Sequence, residues 1–180
     1  MSFSSTFIVA AAVAALAAPV LASPAFDAFQ QTCGDTQADF AAVKAAVAKG
    51  AWVPTEVTPS TMEGVTVIES LARAETLGGV PLTVYAWHGM NGKIAISACT
   101  VRATGTDFKA VDAEARAWVG FAPQTVEASK SKFQFTPTAT GIRAVEPAGQ
   151  NAAAAGSGLE LFTVSADGAD TILDLLKIKS

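Results

Sequence analysis

The stretch PLTVYAWHGMNGKIAISACTVR, residues 81 to 102, limits what this chain can fold into more than any other. Apolar and polar residues alternate on both sides of GMNG, and Asn91-Gly92 is a strong two-residue turn signal, so the spacing predicts an antiparallel hairpin. A turn made of those two residues sets Met90 opposite Lys93, His88 opposite Ala95 and Val84 opposite Cys99. His88 and Cys99 then share a sheet face but stand about 13 Å apart along the strand, too far for a cysteine–histidine dyad. A four-residue loop starting at Gly89 would pair Cys99 with Leu82 and separate them further. Tyr85, Trp87 and Ile96 fall on the opposite face.

The remaining segments supply helices and further strands for such a sheet. SPAFDAFQQTC opens with Ser23 as N-cap and Pro24 at the first helical position, and Phe26, Phe29 and Cys33 recur at helical spacing. Gly34 interrupts this helix. It resumes through DTQADFAAVKAAVAKG, where Thr36 and Asp39 resemble a capping box and Gly50 is the stop. AWVPTEVTPSTMEG has two prolines and no period, so it is a loop with Trp52 folded back over the core. VTVIE from residue 65 is a short strand. TDFKAVDAEARAWVG is a second helix, capped by Asp107, stopped by Gly120, and carrying an Asp112–Arg116 pair on its wet face.

SKFQFT and GIRAVE form another hairpin through PTAT, and PAGQNAAAAGSG, residues 147–158, reads as a mobile Ala/Gly-rich loop. The end holds a strand, an Asp167-Gly168 turn and a last segment, 171–178, whose pattern suits strand or helix. No repeat and no second domain is legible. The expected class is α+β: one domain over residues 23–180, an antiparallel sheet built from hairpins with two helices packed on one face, and one disulfide.

The disulfide expectation comes from compartment. Residues 1–22 carry no charged side chain; an apolar run from Phe7 to Ala18 is followed by Pro19 and the small-residue site Val20-Leu21-Ala22. This pattern predicts a signal peptide cleaved before Ser23, although it lacks the Lys or Arg that usually precedes the apolar run. The run is short and alanine-rich against the roughly 20 apolar residues of a membrane span, so no stable span is expected after cleavage. Ser23 stands where a lipoprotein would need cysteine. A periplasmic or secreted protein follows, with Cys33 and Cys99 bridged. With 12 basic against 16 acidic residues and a net charge of −4, the chain has no electrostatic footprint for nucleic acid.

Chemistry-bearing motifs are few. The chain has one histidine, His88, and zinc sites ordinarily take three or four His, Cys or carboxylate ligands, so no metal and no cofactor is expected. A solvated histidine at the end of a strand is the simpler reading of His88. G-x-S-x-G, G-x-x-x-x-G-K-[ST] and G-x-G-x-x-G are missing, so hydrolase-elbow, P-loop and dinucleotide chemistries lose their usual support. SADGAD lacks the alternation of a calcium loop and reads as a turn. Glu56, Glu63, Glu69 and Glu75 could form acid–base pairs, but sequence does not place them against one another.

FDAFQQTCGDTQADFAAVKAAVAKGAW, with its aromatic-x-x-x-Cys helix, and the later ISACTV resemble small uncharacterised exported proteins of Gram-negative bacteria. The resemblance implies an envelope location and carries no activity or catalytic residue. Two function classes remain. One is an exported, non-catalytic module that binds a small ligand or an envelope partner protein, with His88, Trp52 and Met90 as candidate surface residues. The other is a cofactor-independent envelope hydrolase that uses carboxylates or His88.

Overall fold

The computed structural model describes residues 22–57 and 63–180. The expected signal segment, apart from Ala22, lies outside the described residues. Helices α1 (Pro24–Phe29), α2 (Phe40–Val47), α3 (Phe108–Val119) and α4 (Gln150–Ala155) accompany nine strands. These are β1 (Val53–Pro54), β2 (Thr66–Leu77), β3 (Val80–Asn91), β4 (Ile94–Thr104), β5 (Thr125–Glu127), β6 (Lys130–Thr138), β7 (Gly141–Ala144), β8 (Leu159–Asp167) and β9 (Asp170–Lys179). All pair antiparallel in one sheet of order β1-β2-β3-β4-β9-β8-β6-β5, with β7 on β6. The fold is therefore α+β, and 171–178 is strand.

The β3–β4 turn falls one residue later than expected, at Gly92-Lys93. Asn91 stays in the strand opposite Ile94, which moves the register by two: His88 faces Ser97 and Ala86 faces Cys99. Gly92 has φ +60° and leads the turn, the arrangement that needs glycine first rather than second. The β8–β9 turn does the same with Gly168, leaving Asp167 opposite Asp170. His88 and Cys99 now lie two positions apart along the strand, about 7 Å.

VTVIE is only the start of a long strand. β2 continues through Leu77 because β3 offers it a partner at every step, and Gly78 and Gly79, both at positive φ, close the hairpin. LARAE alone has the composition of a helix; cross-strand pairing overrides that propensity. At the N-terminal helices, the Ser23 hydroxyl caps α1 as expected. Beyond Phe29 the chain forms a π-helical turn, Gln30–Gly34, and a corner in which Gln37 and Ala38 take positive φ. Asp39, not Thr36, caps α2 by accepting from the Ala42 amide, while the Thr36 hydroxyl donates to the Thr32 carbonyl. α2 ends at Val47, before Gly50. α3 runs from its Asp107 cap to Gly120, as read from sequence, with Arg116 Nε 2.8 Å from Asp112. Residues 147–158, expected as a loop, hold a 3₁₀ turn at Pro147–Gly149 and then α4, since four successive alanines favour helix once the ends are anchored.

The topology is repeated although the sequence is not. Each half runs helix, short edge strand, then three long strands: α1/α2-β1-β2-β3-β4 and α3-β5-β6-β8-β9, with β7 and α4 inserted in the second. Seven residues beyond the turn glycines Gly92 and Gly168 stand Cys99 and Leu175, and these two face each other across β4 and β9. A pseudo-two-fold axis thus crosses the sheet centre.

One face of the sheet carries the helices and the main core. Phe162, fully buried, stacks on Phe29 and Phe133 at centroid distances of 4.6 and 5.6 Å and meets the edge of Trp118 at 5.4 Å. Cys33, in the π-helical turn, is bonded to Cys99 on β4, tying the first helical segment to the sheet. Among the described residues no helix is long and apolar enough to cross a membrane.

Candidate functional site

Among the described residues no helix lies over the middle of the opposite face; at its β6 end Gln150 of α4 donates to Gln134 at 2.7 Å. Cross-strand pairing arranges its side chains in rows over β3, β4, β9, β8 and β6, a width of about 19 Å at the usual strand spacing. One row is apolar over four strands, Trp87, Ala98, Leu176 and Leu161, and ends at Gln134 on β6. The next is Tyr85, Thr100, Asp174, Thr163 and Lys132, and the third Thr83, Arg102, Ile172, Ser165 and Lys130. Together they line a groove of about 650 Å³. Trp87 is buried in a small apolar cluster with Ile96 and Ala98, against which Val65 and Val67 pack.

Asp174 sits mid-floor beside the pseudo-two-fold axis. Its Oδ1 accepts from the Thr100 hydroxyl at 2.6 Å, and no cation among the described residues is within ion-pair distance of it. Burial pushes its carboxyl above the usual range, with the Thr100 hydrogen bond only partly offsetting the effect. Burial likewise raises the Tyr85 phenol. Asp170 differs: hydrogen bonds from Thr104 and Arg102 hold its carboxyl low, and Arg102 is taken up by Asp170 at 2.6 Å and Asp167 at 3.5 Å. Lys130 and Lys132 form no ion pair among the described residues, and Glu56 stands exposed at the β2 side.

The sequence reading missed Asp174, Lys130 and Lys132. The signal was in DTILDLLKIK: once that segment is strand, alternation puts Asp174 on one face with Ile172 and Leu176, an acid in an apolar series.

Of the expected surface residues, His88 and Met90 line a second cavity, of about 520 Å³, on the helix-bearing face. Trp52 does not join them; it packs half-buried against the main core beside Gly50. The His88 ring lies against Phe40, tilted, at a centroid distance of 4.8 Å, and its Nε2 is 4.0 Å from Glu69, whose other oxygen binds Lys44 at 2.8 Å. The row through this histidine reads Glu69, His88, Ser97, Lys177 and Glu160 over five strands. No hydrogen bond joins Ser97 to His88, and Cys99 is committed to its disulfide. Glu56, Glu63 and Glu75 are not drawn into this row. Among the described residues no group of three or more His, Cys, Asp or Glu side chains is arranged to hold a metal ion.

Glu160 ends this row almost fully buried, its Oε1 without a hydrogen-bond partner. Burial raises its pKa to about 7; Lys177, at 3.8 Å, attracts the charged form but is too far to donate a good hydrogen bond. A folded-state pKa above the unfolded value makes the protonated acid the stabilising form. Its contribution is complete below about pH 4.3 and is lost as the pH rises to about 7, a change of about 3 kcal/mol. Glu160→Gln should therefore abolish most of the decline in stability between pH 5 and 7 and be the more stable protein at pH 8. Urea melts across that range check this; a variant with the wild-type pH slope would contradict it.

The fold and the groove together define an α+β protein whose single sheet is helix-covered on one face and open, concave and amphipathic on the other. Comparison with family models, curated proteins and solved structures finds no match to this chain.

Proposed function

We propose that the protein is an exported, non-catalytic module that binds a small ligand in the groove on the open sheet face. The observation that carries this reading is the groove itself: an apolar row from Trp87 to Leu161 beside a row of convergent polar groups, the usual make-up of a small-molecule site. Export rests on the charge-free apolar run before Ser23 and on the likeness of the first helix to exported proteins of Gram-negative bacteria. The Ser23 backbone N–H donates to Glu114 Oε1 at 2.7 Å, and its hydroxyl to Oε2 at 2.6 Å. Cleavage before Ser23 would turn that amide into an ammonium group already seated on a carboxylate.

Binding is tested with 1-anilinonaphthalene-8-sulfonate on the oxidised protein. One equivalent should bind with enhanced fluorescence, and Leu161→Arg, which fills the groove from a half-buried position, should abolish it without changing the circular dichroism spectrum. Dye bound equally by the variant would sink the reading. N-terminal sequencing of envelope protein should begin at Ser23, and Glu114→Gln should then cost about 1 to 2 kcal/mol as a charged hydrogen-bonded pair is lost. Intact Met1 on the mature protein would refute export by cleavage.

A second reading, a cofactor-independent hydrolase, has the Glu69, His88 and Ser97 row in its favour. A fluorophosphonate probe distinguishes the two: labelling of Ser97 that disappears in His88→Ala would support the hydrolase, and an unlabelled protein the binding module.

A further inference from the structure

The charges of the groove are ordered, and their order selects a ligand. Starting from the β2 side they run Glu56 at the rim, Arg102 on β4 held by Asp170 and Asp167, Asp174 at the centre, and Lys132 with Lys130 on β6. Asp174 is a half-buried carboxylate whose one hydrogen-bond donor among the described residues is a neutral hydroxyl. Water has been largely removed from it and no cation has replaced the water. An ammonium group placed over it would recover that loss. Two strand spacings away, about 10 Å between backbones, Lys132 and Lys130 are free of ion pairs among the described residues and can reach inward along flexible stems. The apolar row from Trp87 to Leu161 runs beside this polar row from β3 to β8, and on β6 the residue beside Lys132 is Gln134.

From this, and resting on the groove being the binding site, we propose that the ligand is a zwitterion of amino-acid to dipeptide size: its ammonium group on Asp174, its carboxylate on Lys132 and Lys130, and its apolar side chains on Trp87, Leu176 and Leu161. Two other chemistries fit worse. A fatty acid would satisfy the lysines and leave Asp174 under alkyl chain with no partner. A polyamine would satisfy Asp174 and meet the two lysines as like charges.

The probe is the dipeptide Leu-Phe, compared with N-acetyl-Leu-Phe and Leu-Phe amide, by calorimetry and by displacement of the anilinonaphthalene dye. Leu-Phe should bind and displace the dye, and each capped form should bind at least tenfold more weakly. Asp174→Asn keeps the Thr100 hydrogen bond and the shape of the side chain; it should erase the preference for the free amine and leave the preference for the free carboxylate. The double variant Lys130→Gln, Lys132→Gln should do the reverse. Equal binding of free and acetylated dipeptide, or an Asp174→Asn protein that still discriminates them, would overturn the proposal. So would displacement of the dye by decanoate and not by Leu-Phe, which would leave the groove a binding site for an anionic amphiphile. If the dye itself never occupies the groove, it is the underlying reading that falls.

Discussion

Phe162→Ala should destabilise the protein by about 3 to 5 kcal/mol, the largest effect expected of any single substitution here. Phe162 lies on β8 at the point where helices from both halves meet the sheet. Its ring is sandwiched between Phe29 of α1 and Phe133 of β6 and is met edge-on by Trp118 of α3. Removal leaves a cavity that three rigid rings, each held by its own neighbours, cannot collapse to fill. It also deletes the offset-stacked and edge contacts, which add to the burial of area. The midpoint of urea unfolding should fall with little change in slope. Phe162→Leu, which keeps most of the volume, should lose clearly less. A Phe162→Ala protein within 1 kcal/mol of wild type by urea melts would show that the cluster is not the packed centre described above.

Loss of the Cys33–Cys99 bond should cost about 2 to 5 kcal/mol. The bridge closes a loop with a sequence separation of 66 residues, for which chain entropy alone gives about 4 kcal/mol. It joins a π-helical turn, followed by a strained corner at Gln37 and Ala38, to the centre of the sheet. The Cys33→Ala, Cys99→Ala double variant should unfold at lower urea. Its slope should be steeper, because an uncrosslinked unfolded chain exposes more surface. If reduction of the wild-type protein leaves both midpoint and slope unchanged, the bridge contributes nothing to stability. Peptide mapping of native protein that finds two free thiols would refute the bond itself.

Some elements were legible because the information for them is local. α3 is the clearest: an Asp cap, an apolar stripe read as Phe108, Val111, Ala115 and Trp118, and a Gly at φ +74° lie within 14 residues. The structure buries Val111 and Ala115 fully, with Val119 in place of Phe108 and Trp118, which are partly buried. The faces of β3 and β4 were also readable, since alternation alone puts Tyr85, Trp87 and Ile96 on one side. Their register was not, because Asn-Gly admits two turn positions and only the one the structure adopts leaves Gly92 in the lead. β2 was half lost, because Leu71 is its one buried side chain and LARAE has no strand character until β3 is beside it. Trp52 lies half-buried against the core, as its loop position led one to expect.

The candidate groove shows the same division more sharply. By itself the sequence determined the α+β class, the pairing of two cysteines, and the caps of α1 and α3. Each of these depends on residue type, or on spacings within one element or between two cysteines. Only the tertiary structure decided that β4 and β9 lie together, for that contact joins segments some seventy residues apart and has no mark in either. With it came everything at the groove: Asp174 beside Thr100, the lysines of β6 two strands away, and an open face opposite the helices. A side chain's alternation says which face it takes, but which neighbours share that face depends on strand order, and strand order is settled by the packing of the whole sheet.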